Sequence, residues 1–227
     1  MCRIGHYWII LSTARDRYLC VEHAGLVSIG DQLAGWNDER SAATCRPPLP
    51  TQAGDLVESL ISRGIITSNP LVGKPFAEYP YRAPESRLEA SRMIDRKSIS
   101  FLGKVRFFIA CAVVDWRLRR KALPRLLDRI ARRRLRVDLA ALNRAPPYTP
   151  TLVAAFNALR PLYPRSYVCL FDSLALLEFL ARYKCFPHVV FGVTADPFQA
   201  HCWLQDGSAV LDDDLERVRR YKPILSV

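Results

Sequence analysis

The chain has 227 residues, half of them hydrophobic and about a quarter charged, a balance that excludes a disordered tail and allows one domain, or a compact domain preceded by a small one. Its formal net charge of +11 calls for an anionic neighbour, but zinc-finger spacing, aromatic-basic interleaving and a repeated basic helix are all missing, which argues against a nucleic-acid binder. Seven cysteines, at 2, 20, 45, 111, 169, 185 and 202, show neither framework spacing nor a secretory segment, so they read as thiols of a cytoplasmic protein.

The expected elements begin with β-structure. Residues 6–12 and 17–22 are rich in β-formers, and residues 26–29 follow the His23-Ala24-Gly25 turn signal as a third strand. After the break at Pro47, Pro48, Leu49 and Pro50, Thr51 can cap a helix carrying Leu56, Leu60 and Ile61 and ending near Gly64. Between 69 and 84 the prolines at 70, 75, 80 and 84 suit an extended connector. The division expected is a small β-then-α domain over 1–80, a linker over 81–100 and a second domain over 101–227.

The second domain opens with two helices. Phe101, Val105, Phe108 and Ile109 form one apolar stripe, and Leu123, Leu126, Leu127 and Ile130 a second. Much of the positive charge lies between Lys104 and Arg144, including Arg132, Arg133, Arg134 and Arg136; it reads as a solvated helix face or as a surface for an acidic peptide or protein. The run from Phe107 to Val114 is cut by Asp115 and Tyr7 to Leu11 is too short for a signal h-region, so no membrane insertion is expected. A helix then runs to Tyr183, followed by strands at 188–194, 200–205 and 209–211, with Asp206-Gly207 between the last two. No phosphate-cradling loop occurs, and no cofactor is implied.

Cys169 stands directly before Leu170, Phe171, Leu174, Leu176, Leu177, Phe179 and Leu180, a run hydrophobic on most sides and so a buried helix. A thiol at that N-terminus feels the positive end of the helix dipole, which favours thiolate, and the same N–H groups can receive an oxyanion. Asp172 opposes that effect by an amount the sequence leaves open. On the strand 200–205, alternation sets His201, Trp203 and Gln205 on one face and Cys202 and Leu204 on the other. A histidine there is where papain-like enzymes hold their base.

The third member belongs to Asp212, Asp213 or Asp214. A two-residue turn at Asp206-Gly207 pairs His201 with Asp212, and a three-residue loop pairs it with Asp213; both registers stay open, while Asp214 suits the N-cap of a helix over 215–221. A rival zinc set of Cys185, His188, His201 and Cys202 fails on geometry, because adjacent strand residues 201 and 202 point to opposite faces; no metal is expected.

Taken in order, Cys169-Leu170-Phe171-Asp172-Ser173-Leu174-Ala175-Leu176, Pro197-Phe198-Gln199-Ala200-His201-Cys202-Trp203 and Gly207 through Val210-Leu211-Asp212-Asp213 resemble the lasso-peptide B proteins. The resemblance covers residues 101–227. It implies an α+β fold, with a winged-helix-like recognition domain before a papain/transglutaminase-like domain of helices packed on an antiparallel sheet. It also implies a cysteine peptidase that removes the leader from a ribosomally made lasso precursor and hands the core to an asparagine-synthetase-like, ATP-dependent macrolactam cyclase. Cys169 becomes nucleophile, His201 base and Asp213 orienter. Transglutaminase-type acyl transfer and a non-catalytic precursor-presenting scaffold are the alternatives. Arg17-Tyr18-Leu19-Cys20-Val21 with the following segment is similar to the peptide chaperone of pyrroloquinoline-quinone biosynthesis, which implies leader binding by strand addition at Leu26, Val27, Ser28 and Ile29.

Overall fold

The computed structural model describes residues 1–12, 17–30, 33, 50–69, 81–89, 94–120, 123–136 and 149–227. Pro47, Pro48, Leu49 and residues 70–80 of the expected connector lie outside these. The chain divides into two compact units, Met1–Pro80 with Ala195–Pro197, and Tyr81–Thr194 with Phe198–Val227. Its fold is α+β.

The first unit is a three-stranded antiparallel sheet, β1 (Cys2–Ile4), β2 (Tyr7–Ser12) and β3 (Arg17–Glu22), in that spatial order. Alternation along β2 and β3 turns Trp8, Ile10, Leu19 and Val21 inward, where they meet α1 (His23–Ser28) and α2 (Pro50–Ser62) through Leu26, Ile29, Leu56 and Leu60.

This corrects the third expected strand. Leu26, Val27 and Ser28 are helical and Ile29 is the C-cap of α1. Leu26 and Ile29 are 1% and 0% exposed, so this segment offers no open edge. A short apolar run is ambiguous between strand and helix. Residues three apart share a face only on a helix, and that spacing lets Leu26 and Ile29 enter one core together. The true third strand is β1, three residues long at the chain's start and too short for a pattern.

In the second unit, α3 (Phe101–Arg119), α4 (Leu123–Arg136), α5 (Thr149–Leu159) and α6 (Cys169–Ala181) accompany a five-stranded sheet. The sheet comprises β4 (Ser86–Arg87), β5 (His188–Ala195), β6 (Phe198–Asp206), β7 (Ala209–Val210) and β8 (Lys222–Ser226), in the order β4-β7-β6-β5-β8. It is mixed, where an antiparallel one was expected, because β4 joins β7 in parallel at the edge. β8 had no sequence signal; it pairs with β5 as an edge strand, where Pro223 is tolerated.

Helix α6 is the centre of this unit. Every residue from Phe171 to Leu180 except Asp172 is buried, and the helix packs on α3, α5 and β6. Phe179 meets Phe156 and Phe107 at ring separations of 5.8 and 6.5 Å, which ties α5 and α3 to it. These contacts decide the orientation of α3, and against expectation: Phe107, Ala110, Cys111 and Val114 enter the core, while Phe101, Phe108 and Ile109 face outward. Apolar side chains fall on more than one face of α3, so its periodicity could not choose between them. The stripe Leu123, Leu126, Leu127 and Ile130 of α4 is buried as expected.

Part of the basic stretch finds its anion inside the unit. Glu178, on α6, accepts from Arg133 at 2.9 and 3.4 Å and lies 3.7 and 3.5 Å from Arg117 and Arg182. No described helix is long and apolar enough to cross a membrane.

Candidate active site

Cys169 is the first residue of α6, after the extended N-cap Val168. As the first helical residue its N–H has no acceptor within the helix. The approach to it is held by charge. Arg160, almost completely buried, pairs with Asp172 and donates to the carbonyls of Tyr163, Arg165 and Ser166 at 3.2, 3.0 and 3.2 Å. The other oxygen of Asp172 accepts the Val168 N–H at 2.8 Å. The negative charge feared at the thiol is therefore spent on Arg160 and on the turn that presents Cys169.

His201 comes from β6, and its Nε2 is hydrogen-bonded to Oδ2 of Asp213. The hydrogen bond from His201 pulls the Cys169 thiol below its ordinary range against desolvation, helped by the imidazolium charge and the backbone N–H groups of Cys202 and Leu170. Desolvation opposes a charge on His201, yet the bonds to Asp213 and Cys169 lift it from 6.5 to about 9. Desolvation likewise works against ionised Asp213, but His201, the Asp214 N–H at 2.7 Å and Arg217 at 3.7 Å hold it below the usual carboxylate range. The three groups adjoin in the order sulfur, imidazole, carboxylate, and their shifts all favour a charged ring between two anions. Tyr221 covers His201 at 5.0 Å between ring centroids and Trp203 stacks at 6.1 Å.

Neither expected register brings Asp213 there. Gln205 pairs with Val210 and Asp206 with Ala209, so the turn is Gly207-Ser208, with Gly207 at φ +59 in the first central position of a two-residue hairpin. The ladder ends soon after, with Leu211 N–H donating to Leu204 at 2.9 Å, and the chain then bends. Asp213 reaches His201 across this bend and not as a cross-strand partner. Asp212 points elsewhere, accepting from Ser173 Oγ at 2.6 Å and Leu204 N–H at 2.7 Å; desolvation pushes its carboxyl up to about 6. Asp214 caps the short helix α7 (Leu215–Val218), accepting from Glu216 and Arg217 at 3.0 and 3.2 Å.

The rival metal set has separate partners. Cys185 contacts Thr149 at 3.7 Å, His188 contacts Ser226 at 3.4 Å, and His201 is engaged by Asp213. Cys202 faces the carbonyl of Cys169 at 3.9 Å, and burial holds its thiol protonated, well above the ordinary range. The two neighbouring cysteines are thus shifted in opposite directions, Cys169 down and Cys202 up.

Cys169, His201, Asp213, Arg217 and the apolar side chains of Phe156 and Leu176 line one cleft of about 390 Å³. Residues 110–226 match the family model described as the transglutaminase-like superfamily, a span that takes in all three groups of the chain. The chain belongs to the transglutaminase-like superfamily. Comparison with curated proteins and with solved structures finds no match. The superfamily includes cysteine peptidases and acyl transferases, chemistries that use a thiol beside an imidazole, and this cleft is lined by both. Within this transglutaminase-like domain Arg160 was missed by sequence reasoning, since no local pattern marks an arginine at a helix end as buried. Ser173 and Tyr221 were missed for the same reason: their partners, Asp212 and His201, are 39 and 20 positions away along the chain.

Proposed function

We propose that the chain is a cysteine peptidase that removes the leader from a ribosomally made lasso-peptide precursor, with Cys169 as nucleophile, His201 as general acid and base, and Asp213 as the group that orients the imidazole. One arrangement carries the chemistry: Cys169 at a helix N-terminus lines the same cleft as His201, whose ring is bonded to Asp213, a setting that lowers the thiol and raises the imidazole. The thiolate attacks the scissile carbonyl, and the developing oxyanion lies where the Cys169 N–H can donate to it. His201 gives its proton to the departing amine, and the resulting thioester is resolved by water with His201 now acting as base.

The lasso assignment is supported by the three ordered sequence blocks that surround the triad. Leader capture is assigned to the first unit, now at β3: Arg17–Glu22 is the longer of the two outer strands, where an extended peptide can add its own hydrogen bonds. Capture there raises the local concentration of the cleavage site for Cys169. The product would pass to an asparagine-synthetase-like cyclase.

The test is incubation of the full chain with a lasso precursor, read by mass spectrometry. Wild type releases leader and core; Cys169→Ala binds the precursor and leaves it whole. Cleavage by Cys169→Ala would refute the nucleophile, and an amine adduct formed in place of the free acid would turn the reading to acyl transfer.

A further inference from the structure

The outward face of α3 has no role in the peptidase reading. Phe101, Val105, Phe108, Ile109 and Trp116 recur at helical spacing along it, with Phe101 82% and Trp116 54% exposed. Among the described residues this is an apolar stripe on a helix of about 28 Å, rigid because its opposite face is locked against α6. Isolated exposed hydrophobics need no explanation, but a contiguous stripe of aromatics marks a binding surface.

Charge identifies what it binds. Residues 104–136 hold twelve lysines and arginines against two aspartates; Arg117 and Arg133 are taken by Glu178 and Arg119 by Asp115, but Arg120, Arg125, Arg129 and Arg132 stay exposed. The stripe runs into Arg119 and Arg120, the latter stacked on Trp116 at 4.4 Å. The exposed Arg125, Arg129 and Arg132 follow at helical spacing on α4. These guanidinium groups are spread along two helices and do not converge on one point. They suit a diffuse anionic plane better than one carboxylate or phosphate.

A second copy of the chain brings the same positive charge and is repelled. A convex helix face with Phe101 protruding lacks the pocket that a protein partner's anchor residue needs. Aromatic and aliphatic side chains flanked by arginines are the composition of a surface that lies in a lipid interface without crossing it.

We propose that α3 docks this chain onto an anionic lipid surface, with Phe101, Phe108, Ile109 and Trp116 entering the headgroup boundary and the exposed Arg120, Arg125, Arg129 and Arg132 meeting the lipid phosphates. The test is co-sedimentation of the full chain with phosphatidylcholine vesicles, with and without one-third phosphatidylglycerol. Each cation near the anionic surface strengthens partition roughly fivefold, so the chain should pellet with the mixed vesicles only, less so as salt is raised. Trp116 emission should move to the blue on binding, a shift that Trp116→Phe removes. Phe101→Ser with Phe108→Ser should lower partition by roughly tenfold or more while precursor cleavage in solution is unchanged. If that double variant fails to fold, Trp116→Ser and Arg125→Glu carry the same expectation. Equal pelleting with neutral vesicles, no pelleting at all, or undiminished binding by the serine variants would overturn the proposal. So would reversible dimerisation that those variants abolish, which would give the face to a second copy.

Discussion

Asp213 offers the sharpest test of the site, because charge and orientation can be removed separately. In the wild type the ion pair forms once pH exceeds the depressed pKa of Cys169 and is lost as pH rises through about 9, where His201 gives up its proton. Cleavage should therefore follow a bell whose falling limb lies near 9. Losing an adjacent opposite charge costs an imidazolium about 1–3 units, and desolvation, which already works against the charged ring, is then less opposed. In Asp213→Asn the falling limb should move down to near 7. At pH 7.5 the imidazolium fraction then drops to about a quarter, so cleavage slows by only about tenfold or less while the amide still holds Nε2.

Asp213→Ala removes the hold as well, and a drifting base should cost about 10²–10⁴ in rate. The rising limb should move the other way, because a thiol without its imidazolium returns toward 9. Alkylation of Cys169 by iodoacetamide across pH reads that limb, and cleavage of a precursor peptide reads the other. A bell in Asp213→Ala that superimposes on the wild-type profile would refute the claim that this carboxylate sets the proton on His201.

Two further perturbations probe the support of the site. Arg160→Ala leaves the Asp172 carboxylate without its buried partner and frees three carbonyls, and should destabilise the domain by about 3–5 kcal/mol in urea unfolding, with slowed alkylation of Cys169 even where the chain remains folded. Gly192→Ala places a methyl 2.8 Å from both the Trp203 ring and Tyr221, the two groups packed on His201; kcat should fall several-fold by displacement of the imidazole, and a cleavage profile identical to wild type would show that these rings do not position it.

What the residues made legible was whatever depends on near neighbours. The helix that follows Cys169 announces itself by a run apolar on most sides, and Asp214 as a cap requires only the next three residues. The strand bearing His201 shows in its β-formers, and the order of the three chemistry-bearing blocks is already visible in one dimension.

Other features were decided by tertiary packing. Residues 26–29 fit strand or helix equally until Leu60 and Val21 offered a core that only a helix could fill with both Leu26 and Ile29. Helix α3 had two plausible inner faces, and the phenyl rings of Phe156 and Phe179 selected Phe107. Asp213 was reached through a bend after β7 that no hairpin rule encodes, and the Arg160 anchor joins groups whose proximity exists only after folding. Propensity and periodicity sum over a few residues, whereas register, facing and burial are set by contacts between distant parts of the chain. The kinds of groups at this site are thus local properties of the sequence, and their assembly into one proton-sharing unit is a property of the fold.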